Sequence, residues 1–208
     1  FKKSWAQVEE KDYDYDGFPE IVCRTKDLTL LLSPHKGASL WELSFRPKHF
    51  NLLDTLTRRP EKYHQDLKED KVLQAKSKKV NTIHGGIKVK EEGLKDYLIY
   101  DPYPRGALMD HVLSSGVDLS SFARGKFREE ADFLLKPYLY NWKKGRDKVT
   151  FIFERDSYWH TDKNENGHLI PVSLKKVIEV AIQKPSLYFR YTLKCREGQP
   201  VSFLFGVE

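Results

Sequence analysis

Apolar and polar residues alternate along much of the second half of the chain. Between positions 147 and 155, Val149, Phe151 and Phe153 occupy every second position. Successive side chains of a strand point to opposite faces, so this period of two predicts a β-strand with these three residues on one face and Thr150, Ile152 and Glu154 on the other. A second strand of this kind is predicted over residues 186–194. The side chains predicted to point inward from it are Leu187, Phe189, Tyr191 and Leu193.

Residues 168–182 also alternate and predict a longer strand. The alternation shifts between Leu174 and Val177, and this shift predicts a β-bulge at that point. Residues 156–167, which end in the turn formers Asn164-Glu-Asn-Gly167, predict a hairpin connection before this strand.

The first half of the chain contains shorter strand patterns. Residues 20–24 and 27–33 predict two strands, and residues 38–45 predict a third that is bounded by Gly37. One face of the third strand is expected to carry Ser39, Trp41, Leu43 and Phe45.

One short helix is predicted after these strands. It would begin near Pro60 and run through Lys68, with Thr57 as its capping residue. A last strand begins at Val201, and because the sequence stops inside it, we expect a sandwich that is truncated at its C-terminal end.

These elements predict the fold class. Many short strands separated by turns, with one helix, are typical of an all-β protein built as an antiparallel sandwich. The length of 208 residues suits a super-sandwich of two large sheets. We therefore predict a single β-sandwich domain over residues 1–208.

Composition excludes some classes of partner. The net charge is +6, but basic residues are interleaved with acids, which indicates a salt-bridged surface and argues against a nucleic-acid partner. No apolar run reaches the roughly 20 residues that span a membrane. Dense Lys and Glu with a single Met are typical of a thermophilic protein. Cys23 and Cys195 are interpreted as core thiols, with one disulfide as the alternative.

An acidic loop near the start of the chain is a candidate metal site. Asp12, Asp14 and Asp16 alternate and are followed by Gly17, as in the first half of a calcium loop. Cys23 stands where the bidentate Glu of such a loop is expected, and Glu20 is a substitute ligand. The sequence predicts a Ca²⁺ site of Asp12, Asp14, Asp16 and Glu20, and the alternative is a solvated acidic lead-in to a strand.

A second candidate site lies in residues 98–111. Pro102 and Pro104 fix their own backbone and extend the residues before them, so Asp101 and Tyr103 should stand on a stiff loop. Rigid loops with this much polar chemistry often bind ligands or partners. The alternative is a proline-braced corner in which Arg105 pairs with Asp101 or Asp110. The candidate binding or docking residues are Arg58, His84, Tyr100, Asp101, Tyr103, Arg105, Asp110 and His111.

His84 precedes Gly85-Gly86, which allows close approach of the backbone. It is interpreted either as a ligand-facing side chain or as a hydrogen-bonded structural residue. The chain contains no phosphate loop, no Cys-x-x-Cys pair and no Gly-x-Ser-x-Gly elbow.

Several motifs, taken together and in order, resemble the C-terminal β-sandwich of family 57 glycoside hydrolases, a branch of α-amylases and 4-α-glucanotransferases. The motifs are residues 37–43, 51–64, 84–86, 100–105 with Asp110-His111, and 203–208. The resemblance implies a galactose-mutarotase-like super-sandwich that follows a (β/α)₇ barrel. It also implies that the catalytic glutamate and aspartate lie in that barrel, so no residue of this chain is assigned a catalytic role.

Three functional hypotheses follow. The first is a non-catalytic domain of an α-glucan-acting enzyme that packs against the barrel of the same parent chain, helps to bind malto-oligosaccharide and belongs to a cytoplasmic parent. The second is a stand-alone carbohydrate-binding or sugar-epimerising sandwich. The resemblance implies that the glutamate base of mutarotases would lie in a region beyond Glu208. His84 and His111 are therefore poor candidates for epimerase chemistry. The third is an assembly module that forms a homodimer through the truncated edge.

Overall fold

The structure is a computed structural model that describes residues 4–53, 55–68, 93–160, 169–195 and 202–208. His84 and residues 161–167 of the predicted hairpin connection lie outside the described residues. Residues 156–160 of that predicted connection are instead part of a strand, because they continue the antiparallel pairing with the strand that follows. The chain forms two compact units. The first comprises Phe1–Thr55, Gly106–Asp118 and Phe127–Glu208, and the second comprises Leu56–Arg105 and Leu119–Lys126.

All strands of the described residues belong to the first unit. The first sheet has five antiparallel strands in chain order. They are β1 (Ala6–Lys11), β2 (Glu20–Thr25), β3 (Leu28–Ser33), β4 (Ser39–Phe45) and β5 (Phe50–Asn51). A short 3₁₀ helix, Arg46–Lys48, joins the last two.

The remaining strands form a four-stranded antiparallel sheet and a separate pair. They are β6 (Asp110–Ser114), β7 (Leu139–Lys144), β8 (Lys148–His160), β9 (Leu169–Ala181), β10 (Leu187–Cys195) and β11 (Phe203–Val207). The four-stranded sheet has the order β10-β9-β8-β7, and β11 pairs with β6.

The second unit contains the helices α1 (Lys62–Lys68) and α2 (Leu119–Ala123) and a 3₁₀ turn, Leu94–Tyr97. Helix α1 is where the sequence predicts it, but Thr57 is not its cap. The Thr57 hydroxyl instead accepts a bond of 2.9 Å from the Arg105 N–H. No helix of the described residues is long and apolar enough to cross a membrane.

The core of the first unit lies between the two large sheets. Leu30 and Leu32 of β3 and Phe151 and Phe153 of β8 are fully buried in one apolar cluster. The three residues predicted to share a face of β8 therefore lie together in the core, and the fold is an antiparallel all-β sandwich. Both cysteines are free thiols, and the core position predicted for them is confirmed for Cys23, whereas Cys195 is half-buried against the core. Burial raises the pKa of Cys23 to about 12.

The predicted face of β4 is wrong in part. The register between β3 and β4 shifts because Leu31 pairs with Glu42 whereas Leu32 pairs with Leu40. Trp41 is thus the extra residue of a β-bulge, and it is Leu40 that enters the core.

The predicted bulge in β9 is also wrong. Pairing of β9 with β8 continues without a shift from Leu169 to Ala181. The inward face alternates regularly, but one of its positions is occupied by the fully buried Lys176. This lysine interrupts the apolar pattern of the inward face, and the interruption resembles a shift of the strand alternation in the sequence.

On β10, the predicted inward residues do share a face with the inward residues of β9. Phe189 lies opposite Ile178, for example. Phe189 is nevertheless 42% exposed because β10 is the outermost strand of its sheet among the described residues.

Candidate functional site

The core of the first unit contains a buried ion pair. Strand alternation directs Lys176 into the sandwich, where its Nζ lies 2.8 Å from Oδ2 of Asp110, and both side chains have no exposed surface. The Tyr138 hydroxyl donates a bond of 2.9 Å to the same carboxylate oxygen. Burial lowers the pKa of Lys176 and raises that of Asp110, and the opposite charge of each partner resists the shift of the other.

Three main-chain carbonyls complete the surroundings of the lysine. Its Nζ donates to Leu108 O at 2.6 Å and to Gly37 O and Ala38 O at 3.1 Å each. All three residues have positive φ angles, of 59°, 79° and 47° respectively. Left-handed backbone is costly for Ala and Leu. The ammonium group, with three N–H donors, therefore stabilises two strained turns and a buried carboxylate together.

His111 follows Asp110 on β6 and is also fully buried. Its Nδ1 lies 2.7 Å from Oε1 of Glu129, and its Nε2 lies 3.5 Å from Oε2 of Glu208. The other Glu129 oxygen accepts a bond of 3.1 Å from the Val112 N–H. The histidine is thus held between two carboxylates inside the sandwich, and in this structure it has no contact with solvent.

Residues 98–105 of the loop that contains Pro102 and Pro104 belong to the second unit. Asp101 accepts hydrogen bonds from Arg58, namely from the main-chain N–H at 2.6 Å, from Nε at 3.0 Å and from Nη2. The Asp101 N–H returns a bond of 3.0 Å to Arg58 O. Arg105 Nη1 lies 3.7 Å from the same carboxylate, which agrees with the proline-braced corner.

Further contacts fix this loop. Arg58 Nη2 donates to Ala123 O of α2 at 3.1 Å. Gly125 has a φ of 66° and lies against the Pro102 ring. A Cβ atom at position 125 would lie only 3.0 Å from Cδ of Pro102. The Tyr100 hydroxyl lies 3.2 Å from Nδ1 of His64 on α1.

Burial raises the pKa of Asp101, but the bonds from Arg58 more than offset this, and the pKa lies below its ordinary value.

The acidic loop of the first unit gathers three of its four predicted metal ligands. One carboxylate oxygen from each of Asp12, Asp14 and Glu20 lies within 4.8 Å of the others. Asp16 instead faces Lys36, at 2.8 Å from Nζ, and that ammonium also contacts Asp14. Lys36 thereby lowers the pKa of Asp16.

The predicted binding residues are divided between the two units. Arg58, Tyr100, Asp101 and Arg105 come together in the second unit, where Tyr103 is half-buried in the same loop. Asp110 and His111 belong to the core of the first unit. The sequence reasoning missed Lys176, although a single charge on the inward side of a regular alternation was the signal that could have identified it.

The fold and these sites define an antiparallel β-sandwich domain with a rigid polar loop. The family model of the C-terminal region of α-amylases and 4-α-glucanotransferases matches residues 12–208. The chain therefore belongs to the α-amylase/4-α-glucanotransferase C-terminal family.

Individual relatives agree with this assignment. The chain is 30% identical to an α-amylase of Pyrococcus abyssi over 99% of its own length and 30% of the relative. It is 29% identical to a 4-α-glucanotransferase of Thermococcus litoralis over 95% of its length and 28% of the relative. The crystal structure of a 4-α-glucanotransferase from Thermococcus litoralis superposes on all of this chain, with 28% of that chain covered, a TM-score of 0.76 and 26% identity. The chain thus spans less than a third of the length of these proteins.

Proposed function

We propose that this chain is a non-catalytic C-terminal domain of an α-glucan-acting enzyme, and that it packs against the catalytic barrel of the same parent. The observation that supports this most strongly is the family match over nearly the whole chain, combined with the much greater length of its relatives. Glycoside hydrolysis needs two carboxylates that reach the scissile bond. Asp110 is buried in an ion pair, and the Asp101 side chain, only 5% exposed, is occupied by Arg58.

The second unit supplies the docking surface in this proposal. The Arg58–Asp101 pair holds its loop in one conformation, so little conformational entropy is lost on association. Apolar side chains of the same unit are exposed, including Leu56 at 84%, Tyr97 at 80% and Leu119 at 82%. Exposed apolar side chains of this kind supply the area that one domain can bury against another.

The proposal is tested by mixing this chain with the separately expressed remainder of its parent. We expect a complex on size exclusion, and Leu119→Asp should weaken its affinity about tenfold or more, since a charge would be buried at the contact. Leu139→Asp is the matched control, because Leu139 is 81% exposed but lies on β7 of the first unit. No complex, or equal weakening by both variants, would contradict the proposed docking surface.

We also propose that the acidic loop binds Ca²⁺ through Asp12, Asp14 and Glu20. Carboxylate oxygens are the ligands that this hard cation prefers, and the three groups are close enough to share one ion. Lys36 contacts both Asp14 and Asp16, so the ion would displace this ammonium from Asp14, and Asp16 would become a fourth ligand only if it were released as well. The ion would link the loop to the start of β2, where Glu20 is buried.

A further inference from the structure

Strand β10 presents an open edge. It pairs with β9 from Leu187 to Cys195 without a shift in register, and it is the outermost strand of its sheet among the described residues. Proline and β-bulges, which protect the edges of many natural sheets, are absent from these nine residues. Such an edge is a template on which another strand can pair.

The hydrogen bonds of the β9–β10 hairpin show which main-chain groups face this edge. The Ala181 N–H donates to Ser186 O at 3.0 Å. The adjacent register pair, Leu187 with Val180, is therefore a non-hydrogen-bonded pair of the antiparallel ladder. Because the two kinds of pair alternate, the N–H and C=O groups of the odd-numbered residues of β10 point away from β9. These residues are Leu187, Phe189, Tyr191, Leu193 and Cys195.

The side chains of the same five residues are largely apolar and share the inward face of the sheet. Tyr191 packs edge to face against Phe205 of β11, with 5.5 Å between the ring centroids. Phe189 is 42% exposed, although it lies opposite the fully buried Ile178 of β9. The edge thus combines outward-facing main-chain groups with an apolar face that a further strand would cover.

A second copy of this chain is complementary to the edge. When two β10 strands run antiparallel about a two-fold axis at Tyr191, Phe189 of one copy lies opposite Leu193 of the other. Leu187 lies opposite Cys195 in the same way. All five outward N–H groups of each copy then donate to the five outward C=O groups of the other, which gives ten hydrogen bonds.

The charges on the outer face of β10 select this register. With the axis at Tyr191, Arg190 lies opposite Thr192, and Tyr188 lies opposite Lys194. An axis at position 190 would place Arg190 against itself, and an axis at position 192 would place it against Lys194. Like charges directly opposite each other destabilise a sheet, and axes further from the centre leave more of the strand unpaired.

We propose that this chain forms a symmetric homodimer in which β10 pairs with β10 of a second copy about an axis at Tyr191. The two four-stranded sheets become one continuous sheet. A two-fold axis closes the interface, so the assembly stops at the dimer. The interface lies on the first unit, whereas the proposed docking surface lies on the second.

Hydrogen exchange tests the pairing at single amides. As the protein concentration rises from about 1 μM to 1 mM, the amides of Phe189, Tyr191 and Leu193 should gain about tenfold or more in protection. The amides of Arg190 and Thr192 donate to β9 and are internal controls whose protection should change little. The mass from sedimentation equilibrium should double over the same range.

Two variants test the strand itself. Phe189→Lys should weaken the dimer about tenfold or more, because a lysine that points inward protects an edge from pairing. Leu139→Lys is the matched control, since Leu139 is 81% exposed on β7, the other edge strand of the same sheet. It should dimerise as the unaltered chain does.

Engineered thiols test the register. A mixture of Arg190→Cys and Thr192→Cys chains should form a disulfide-linked dimer with an added chemical oxidant, because opposite Cα atoms of a non-hydrogen-bonded pair are about 4.5 Å apart. Neither variant alone should do so. The unaltered chain should not cross-link either, since its Cys195 lies opposite Leu187.

Three results would overturn the inference. They are a monomer mass at every concentration, equal weakening by Phe189→Lys and Leu139→Lys, or equal cross-linking in the single variants and their mixture. Conversion of the dimer by the remainder of the parent into a one-to-one complex with protected Phe189 and Leu193 amides would also overturn it, because the edge would then belong to a strand of the parent. The docking test depends on Leu119 of the second unit, so the two failures are distinguishable.

Discussion

At the scale of single residues, Lys176 has the most demanding environment. It is a charged group on the core face of β9, and its stability there depends on Asp110 and on the carbonyls of Gly37, Ala38 and Leu108. The aromatic rings of Tyr138 and Tyr191 lie 5.6 Å from its Nζ and add cation–π contacts. Removal of one partner from a buried ion pair leaves the other charge uncompensated, and this is more costly than the loss of the pair as a whole.

We therefore predict that Lys176→Met lowers the free energy of unfolding by about 3–5 kcal/mol, as measured by urea denaturation. Lys175→Met is the neighbouring control, because Lys175 is exposed and pairs with Glu154 on the surface at 2.7 Å. It should cost no more than about 1 kcal/mol. The double variant Lys176→Met with Asp110→Asn should be less destabilised than the sum of its single changes. Equal losses for Lys176→Met and Lys175→Met would contradict this account.

At the scale of elements, the local sequence pattern was sufficient to predict the strands but not the polar contacts between residues far apart in the chain. The period of two in residues 147–155 and the turn residues of the first half identified strands correctly because each signal lies within a few residues. The bulge at Trp41 was not predictable, since it depends on how β3 and β4 pair. The Arg58–Asp101 contact joins residues 43 positions apart, and no spacing rule predicts that partner.

The loop of the second unit should be sensitive to acid. Because the pKa of Asp101 in the folded chain lies below its ordinary value of 3.8, the pair stabilises the loop at higher pH and is lost as pH falls through the lowered pKa. The Arg58 amide, which donates to Asp101, should therefore keep its hydrogen-exchange protection at pH values below the ordinary aspartate pKa of 3.8 and lose it only as pH falls through the lowered pKa.

The same amide should lose protection about tenfold in Asp101→Asn at neutral pH, because the variant removes a charge-assisted acceptor. The matched control is Asp96→Asn, an exposed acid in the same unit. Equal protection in both variants would show that the Asp101 contact does not hold the loop.

The acidic loop gives the other prediction at this scale. If Ca²⁺ binds there, chelation should lower the melting temperature by about 5 °C or more, since saturation at a hundredfold excess over Kd contributes about 2.7 kcal/mol. Asp12→Asn should abolish the response, whereas Asp27→Asn, outside the loop, should retain it. An identical melting temperature with chelator and with Ca²⁺ would exclude the site.

At the scale of the whole molecule, the sandwich and its family follow from the sequence, but the division into two units does not. Asp101 and Asp110 lie close together along the chain, and yet they belong to different units. The likeness to galactose mutarotases stays a prediction.

The proposed role, that of a non-catalytic domain in an α-glucan-acting enzyme, can be tested directly. The most direct measurement is the release of shorter or longer oligosaccharides from maltoheptaose by the purified chain, by the remainder of its parent, and by the two together. We predict that the chain alone releases nothing above the protein-free baseline, and that turnover requires the remainder of the parent. Turnover by the chain alone, in proportion to its concentration and persistent through a second purification, would contradict the account.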